Sequence, residues 1–542
     1  MKKNKSKLKN KKNLKSNLKN INEKIKFFFI FLAELKYKFN KKVGKIGYLF
    51  ITYFLITIIG SLLLYSNFSQ TKPGTINYID SLFASASAFS DTGLSTKITA
   101  QDWTMFGQTV IAILILVGGI GVFAIKVYII NYIFGFKLGI FQKEVLSLER
   151  RSNKIGELKD VIIVSITIMF ILIVFSTFIF FFIFYFSDGN FEVYDKNLNP
   201  QYNFNLSLRF ATFHSISALN NAGFDIIGNH SLAPYYSNYL LQIWIMILFI
   251  IGGIGYPVIY DLYLWIVSIF KKSEKKHKFS LFSKVSLITY FTLSLLGIIL
   301  VITFETTSKN ANNFWNLKTS NAIYWGDGIS KSYDYGNGFN KTFAIIFIVF
   351  STRSAGFTTF DLYNLTDTSL AILSILMFIG ASPASTAGGI RSTTFAIIIL
   401  NLFSIMRGKK STHIFKRKIK GETVNQASIV LILSILLNLI SFGILNTSFI
   451  THGGNLLTHD WEHQPTERVY GSIHIFFEVT SAFGTSGLTT GITDKLNYIS
   501  KLSLLLIMFI GQLGISSTIL VWGSNNSKFS KYEYLEEDIA IG

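Results

Sequence analysis

SAFSDTGL (residues 87–94) returns along the chain as SALNNAGF (217–224), FSTRSAGF (350–357) and SAFGTSGL (481–488). The glycines of these phrases, Gly93, Gly223, Gly356 and Gly487, are separated by 130, 133 and 131 residues. Each phrase follows a long apolar run and precedes another. A period held this closely is an internal repeat. Four copies of one hairpin, each with one glycine loop, imply four loops set around one axis, and loops around an axis line a pore.

Working outward from each glycine gives the same plan four times. Repeat 1 (46–135) has a first span near 46–66, a short segment at 80–90 and a second span near 106–135. Repeat 2 (160–269) has 160–187, 207–220 and 237–269; repeat 3 (283–403) has 283–305, 341–352 and 367–403; repeat 4 (424–523) has 424–448, 472–484 and 498–523. The runs flanking each loop reach the roughly 20 residues that cross a bilayer. The reading is therefore an all-α integral membrane protein with eight transmembrane spans. The middle segments are too short to cross and are read as re-entrant helices. A helix that ends inside a membrane leaves carbonyls unpaired, which is tolerated only in packed protein or beside an aqueous cavity. A following glycine can take φ > 0 and turn carbonyl oxygens toward a central path. The negative helix ends would favour cations there.

Composition agrees with a membrane location. The 542 residues are 50% hydrophobic, with a mean hydropathy of +0.42. The absence of cysteine excludes disulfides and thiolate metal sites. The net charge of +21 comes from 51 Lys and Arg against 30 Asp and Glu. Its placement argues against a nucleic-acid partner. The basic excess lies in the arm 1–45, in KKSEKKHK (271–278) and in RGKKSTHIFKRKIK (407–420), while 136–160 carries both signs, including Arg150 and Arg151. Loops 188–206, 306–341 and 450–471 carry few basic residues. By the positive-inside rule the N-terminus, the inter-repeat linkers and the tail 524–542 are cytoplasmic, and the glycine loops lie nearer the outside. The arm reads as a lipid-contacting cytoplasmic segment rather than a signal peptide.

The second spans carry their own repeat. VGGIGVFAI (117–125) matches IGGIGYPVI (251–259), and both read as close helix packing. In repeat 3 the same place holds FIGASPASTAGGIRSTT (378–394), in which Ser382, Pro383, Ser385, Thr386, Gly388 and Gly389 interrupt an apolar stretch too long for one straight span. Arg391 lies within it, and an ionisable residue at membrane depth is a functional candidate whose partner is a backbone carbonyl or a carboxylate. Segment 380–394 is therefore read as a flexible loop across the ion path below the glycines, with a static Pro/Gly kink as the alternative. Asp91, Asp225 and Asp361 flank the glycines and could concentrate cations at an outer mouth, with solvated loop acids as the alternative. Glu478 reads as stabilising the fourth short helix, and His214 as a packed residue. No His, Cys or carboxylate cluster has metal-site spacing, and no phosphate-binding loop or catalytic triad context is present, so no enzyme is expected.

SALNNAGF, RSAGFTT (353–359), SPASTAGGIRSTT (382–394) and FEVTSAFGTSGLTTGIT (477–493) together resemble the Ktr/Trk/HKT superfamily of potassium transporters, over residues 45–523. The resemblance implies four fused membrane–pore–membrane repeats with pseudo-fourfold symmetry. It implies a selectivity filter of Asp91, Thr92, Gly93 and Leu94; Asn221, Ala222, Gly223 and Phe224; Ser354, Ala355, Gly356 and Phe357; and Thr485, Ser486, Gly487 and Leu488. Potassium would bind the carbonyls of Thr92, Gly93, Ala222, Gly223, Ala355, Gly356, Ser486 and Gly487. It also implies that 380–394 is a gating loop. Glycine in all four loops goes with potassium within the superfamily, whereas serine in the first goes with sodium in some plant members. The short arm makes the Ktr-type membrane subunit the closer match. That match implies a plasma-membrane homodimer under a cytosolic ring of nucleotide-binding subunits, with the nucleotide on the ring and sodium as a candidate activator. The basic linkers 271–278 and 407–420 are docking faces or lipid contacts.

The chain departs from the family in two places. GQLG (511–514) puts Gln512 where an arginine is usual, which predicts a leakier closure or more reliance on Arg391. Ala381 and Ala384 stand where the loop tends to have glycine, which predicts a stiffer gate. A sodium-permeable pore of the same architecture, an ion-coupled solute symporter and a scaffold without transport are the competing readings. Four parallel repeats with short re-entrant segments favour the pore over the symporter, whose repeats are often inverted.

Overall fold

Apolar runs that hold few charges and almost no proline fold as helices, and the principal ones fall in four sets. Around Gly93 are α1 (Gly47–Tyr65), α2 (Tyr78–Phe89), α3 (Met105–Ile120) and α4 (Val122–Val127). Around Gly223 are α5 (Leu158–Phe186), α6 (Phe204–Leu219), α7 (Tyr239–Ile254) and α8 (Tyr256–Phe270). Around Gly356 are α9 (Leu281–Thr307), α10 (Gly338–Ser351), α11 (Asp367–Phe378) and α12 (Ser392–Met406). Around Gly487 are α13 (Gly421–Asn446), α14 (Ser472–Phe483) and α15 (Tyr498–Leu513). The only described strands form short two-stranded hairpins in the connections. The structure is a computed structural model that describes residues 47–128, 158–189, 198–228, 231–271, 277–317, 319–321, 332–452, 455–457 and 469–515. The arm 1–45, the tail 524–542 and the basic residues 272–276 lie outside the described residues. The chain separates into two compact units, Met1–Phe54 and Leu55–Gly542. The described part of the first is residues 47–54, the opening of α1.

The helices α1, α5, α9 and α13 are long and apolar enough to cross a membrane. Ile171, Val174, Phe175, Phe178, Phe182 and Phe186 on α5 and Ile288, Phe291, Leu295 and Ile299 on α9 are exposed. An apolar face of this size is untenable in water and ordinary against lipid.

The sequence reading treats the second spans of the first, second and fourth sets as continuous, and here the structure differs. α3 gives way to α4 at Gly121 (φ 88°), α7 to α8 at Gly255 (φ 88°), and α15 ends at Gly514 (φ 75°). No helix accommodates positive φ, so these glycines stop it. The bend between α7 and α8 is 105°. In the third set the interruption is longer, with α11 ending at Phe378 and α12 beginning at Ser392.

The post-loop helices start on polar caps. The side-chain oxygens of Thr104, Asn238, Thr366 and Asn497 accept from the backbone N–H of Gly107 (3.4 Å), Leu241 (3.0 Å), Ser369 (3.3 Å) and Ser500 (2.9 Å). Small residues then let backbones approach. A methyl group on Gly118, Gly252 or Gly511 would collide with the carbonyl oxygen of Phe89, Leu219 or Phe483, the last residues of α2, α6 and α14. Lipid supplies no hydrophobic force between helices, so contact of this kind holds the bundle. Each post-loop helix also packs on the short helix of the next set: α3 on α6, α7 on α10, α11 on α14, and α15 back on α2.

Candidate functional site

The short helices α2, α6, α10 and α14 deliver the four phrases to a common backbone geometry. The residue two before each glycine is left-handed: Asp91 (φ 50°), Asn221 (59°), Ser354 (78°) and Thr485 (46°). The glycines follow at φ 89°, 67°, 80° and 78° for Gly93, Gly223, Gly356 and Gly487. Left-handed backbone at non-glycine residues is costly and persists only where surroundings impose it. What imposes it is visible in the intervening N–H. Thr92, Ala222 and Ser486 donate back to the carbonyls of Ser87 (2.9 Å), Ser217 (2.9 Å) and Ser481 (2.8 Å), and Ala355 to that of Ser351 (2.8 Å). Hydroxyls of Ser217 and Ser351 hold the far side by donating to the carbonyls of Phe224 and Phe357, each at 2.6 Å.

With the N–H turned backward, the carbonyls of Thr92, Ala222, Ala355 and Ser486 turn toward the neighbouring loop. A methyl on Gly93 would lie 2.5 Å from the Ala222 oxygen, one on Gly223 3.0 Å from the Ala355 oxygen, and one on Gly356 2.5 Å from the Ser486 oxygen. A methyl on Gly487 would collide with the Thr92 oxygen, which closes the circuit in sequence order. All four residues bearing these oxygens are fully buried. Among the described residues no hydrogen-bond donor reaches any of the four oxygens. Buried carbonyls without a partner are rare in folded proteins. Four that converge are an arrangement for a ligand that accepts oxygen coordination, a cation above all.

The segment between α11 and α12 lies against these loops. Gly388 N–H donates to Ser354 Oγ (3.2 Å), and Ser354 Oγ donates to the Thr485 carbonyl (2.7 Å). Its outer side rests on the α7–α8 break, with Ser382 N–H on the Gly253 carbonyl (3.1 Å) and Tyr256 N–H on that of Ala384 (2.9 Å). Pro383 sits beside Gly255, where a methyl would lie 2.7 Å from the proline carbonyl. Ser385 Oγ bonds the Ser382 carbonyl (2.7 Å), Gly389 takes φ 73°, and Ala381 is fully buried. Arg391 donates to the carbonyls of Ala387 and of Gln512, the latter at 2.9 Å. Gln512 Nε2 donates to the Thr386 carbonyl (3.0 Å) and lies 3.5 Å from Asp91 Oδ2. Arg391 therefore takes carbonyl partners, and Gln512 clasps the segment from α15.

The three flanking aspartates do not share one place. Asp91 precedes its glycine, is fully buried and faces Gln512, on the side of the broken segment rather than at an outer mouth. Asp225 and Asp361 follow or lie beyond their glycines and accept the turn N–H groups of Ile227 (3.2 Å) and Tyr363 (3.1 Å). Glu478 accepts from Thr493 Oγ1 and braces α14. His214 is packed among Phe184, Phe210 and Phe213, with Nδ1 on the Phe210 carbonyl at 2.7 Å. No group of His, Cys, Asp and Glu among the described residues could hold a metal ion.

One residue of the site escapes the sequence reading. Arg353 is fully buried between the third loop and the end of α11, and its guanidinium donates to the carbonyls of Leu376 (3.1 Å), Ile379 and Gly380 (2.8 Å). A lone arginine within an otherwise apolar and small-residue stretch is itself the signal that could have found it.

Comparison with known proteins follows the same lines. The chain is 34% identical over 510 residues to an uncharacterized cation transporter of Mycoplasma genitalium, covering 86% of this chain and 88% of that protein. It is 30% identical over 517 residues to the Ktr system potassium uptake protein D of Bacillus subtilis, covering 94% of this chain and all of that protein. The crystal structure of the potassium transporter TrkH from Vibrio parahaemolyticus shares its fold, with a TM-score of 0.56 over 87% of this chain and 83% of that one, at 14% identity. With the TrkH family of cation transport proteins matching residues 17–531, nearly the whole chain, this protein is a multi-pass membrane protein that belongs to that family.

Proposed function

We propose that the chain is the ion-conducting subunit of a gated potassium uptake system in the plasma membrane. The observation that carries this reading is the closed circuit of four unpartnered carbonyls at Thr92, Ala222, Ala355 and Ser486. Oxygens so placed can replace the hydration shell of a dehydrated cation. In this reading the chain makes eight crossings around a pseudo-fourfold axis, with α2, α6, α10 and α14 re-entrant. The filter consists of residues 91–94, 221–224, 354–357 and 485–488. Segment 380–394 is the gate, held shut by Arg391 and Gln512. Flux is passive, driven by the membrane potential at about 2.3 kcal/mol per charge per 100 mV. Relatives that carry potassium uptake in their names support potassium as the ion. Both termini are cytoplasmic, and the chain works as a homodimer under a cytosolic nucleotide-binding subunit.

The test is rubidium uptake into proteoliposomes loaded with potassium, for the wild type and Gly93→Ser. A serine there meets the Ala222 oxygen and cannot relax at φ 89°. Uptake that excess sodium does not compete away, with selectivity lost in the variant, is the expected result. Absence of cation flux, or flux indifferent to Gly93, returns the solute symporter to the front.

A further inference from the structure

The broken segment begins where α11 stops, and a helix end inside a membrane has carbonyls to satisfy. Their partners can be followed one by one. Ile375 accepts from Ile379 N–H (3.1 Å), Phe378 from Ile390 N–H (3.1 Å) and Ala381 from Ser392 N–H (3.0 Å). Leu376, Ile379 and Gly380 accept from Arg353 alone among the described residues. One side chain therefore takes three carbonyls at and just beyond the end of α11, beside the backbone bonds to Ile375 and Phe378. It comes from the residue three before Gly356, inside the third glycine loop.

The charge on Arg353 has no carboxylate beside it among the described residues. Its compensation is the negative end of α11 and the face of Tyr290, a fully buried α9 ring 5.5 Å from the guanidinium carbon. The neighbouring sets do without such a residue. There Gly118, Gly252 and Gly511 let the post-loop helix touch the short helix directly. Among the described residues the third set alone adds an arginine fork at this place, and it alone has the long interruption.

We propose that Arg353 is a positioning residue that couples the third glycine loop to the gating segment. The fork makes the near end of the segment, 376–380, rigid with the loop that carries Ala355 and Gly356. The far end is tied to the same loop by the bond from Gly388 N–H to Ser354 Oγ. Between these two ties, residues 381–387 are held to α7 and α8 by backbone bonds to Gly253 and Gly252 and from Tyr256, and to α15 by Gln512 on the Thr386 carbonyl, contacts that a shift of the segment would exchange. Displacement of this stretch pulls on Arg353 and so on the carbonyl of Ala355. Opening and ion discrimination are then one event rather than two.

This inference rests on the gating reading of 380–394, and the experiment separates the two. Planar-bilayer currents would be recorded for wild type, Arg353→Lys, Tyr290→Leu and Ser385→Ala, with thermal unfolding measured for each in detergent. Lysine keeps the charge but cannot span the carbonyls with a planar fork. The expected result is a severalfold change in open probability for Arg353→Lys, accompanied in the same records by a lowered rubidium-to-sodium permeability ratio. Tyr290→Leu, which keeps the fork but removes the ring behind it, should shift both in the same direction by less. A folded Arg353→Lys with wild-type open probability and permeability ratio overturns the proposal, as does a variant whose only defect is lowered stability. If Arg353→Lys does not fold, unchanged gating and selectivity in Tyr290→Leu overturns it instead. Ser385→Ala removes a bond inside the segment and reports on the gating reading alone. If it leaves open probability unchanged, that reading fails; if it alters gating while Arg353→Lys does not, only the coupling fails.

Discussion

Lys501 Nζ donates to Asp80 Oδ1 at 2.9 Å, joining α15 to α2 across 421 residues of sequence. Thr96 Oγ1 donates to the same oxygen, also at 2.9 Å. The pair is nearly inaccessible, and it sits at the seam where the last set of helices meets the first. The seam between the first two sets is bridged in a comparable way by Arg209 of α6 on Gln108 of α3. Removing one partner of a buried ion pair strands the other charge, at about 3–5 kcal/mol. Asp80→Ala should therefore lower thermal stability in detergent sharply, while Asp80→Leu combined with Lys501→Met should recover most of the loss. A single variant as stable as the double would show that the seam is held by helix packing alone.

Glycines in this chain divide by what surrounds them, and their substitution should divide likewise. A methyl on Gly118 meets the Phe89 carbonyl, and the backbone there cannot step aside without moving the end of α2. Overpacking of this kind costs about 1–3 kcal/mol. Gly443, on the exposed flank of α13, has nothing within 4 Å of the same position. Gly118→Ala should reduce both stability and rubidium flux, because α2 carries the Gly93 loop. Gly443→Ala should leave flux alone and hold or raise stability, since alanine is the better helix former by about 1 kcal/mol. Equal thermal shifts in the two variants would remove close approach as the reason for glycine at 118.

Gln512 reaches the Thr386 carbonyl through its amide and receives Arg391 on its own carbonyl. An arginine at this position would keep the bond to Thr386 and add a positive charge near Asp91, whose carboxylate lies 3.5 Å from the present amide. A charge-assisted pair of that kind is stronger than an amide bond. Gln512→Arg should hold the segment shut for longer, read as a lower open probability in single-channel records. Flux and open times identical to wild type would mean that Gln512 does not bear on closure.

The sequence makes the helical class and the four loops legible because each signal is periodic. Apolar runs mark helices, and a phrase repeated near every 130 residues marks equivalent positions. The breaks at Gly121, Gly255 and Gly514 are harder to see. VGGIG and IGGIG contain three glycines each, and composition alone does not tell the ones that pack, Gly118 and Gly252, from the ones that stop the helix. That distinction depends on what lies across the contact, the carbonyls of Phe89 and Leu219, which are far away in sequence. Arg353 was hidden for a related reason. Its partners lie 23 to 27 residues later, at and just beyond the end of α11, and no local pattern points to them. Flanking a glycine does not say on which side of it a carboxylate points, and the contact of Asp91 with Gln512 comes from the far end of the sequence.

The linker between α12 and α13 folds as a hairpin in which His413 pairs with Lys418 and Ile414 with Arg417. Its two-residue turn puts Phe415 (φ 46°) and Lys416 (φ 62°) in the left-handed geometry that favours glycine or asparagine. Phe415 at this tip is half-exposed, and Arg407, Lys409, Lys410, Lys416, Arg417, Lys418 and Lys420 along the same linker are exposed. The hairpin is also bent back along α12 by Thr412 Oγ1 on Asn401 (2.8 Å), beside the exposed Leu402, Phe403 and Ile405. An apolar tip on a basic linker folded toward a lipid-facing helix suits an anionic bilayer surface, at about 1 kcal/mol per basic residue. The chain has no cysteine, so Phe415→Cys carries a single environment-sensitive fluorophore. In bilayers containing phosphatidylglycerol the emission should shift to the blue and be quenched by brominated lipid, and both effects should fade as salt is raised. Emission typical of water at every lipid composition would leave the hairpin as a face for a cytosolic protein instead.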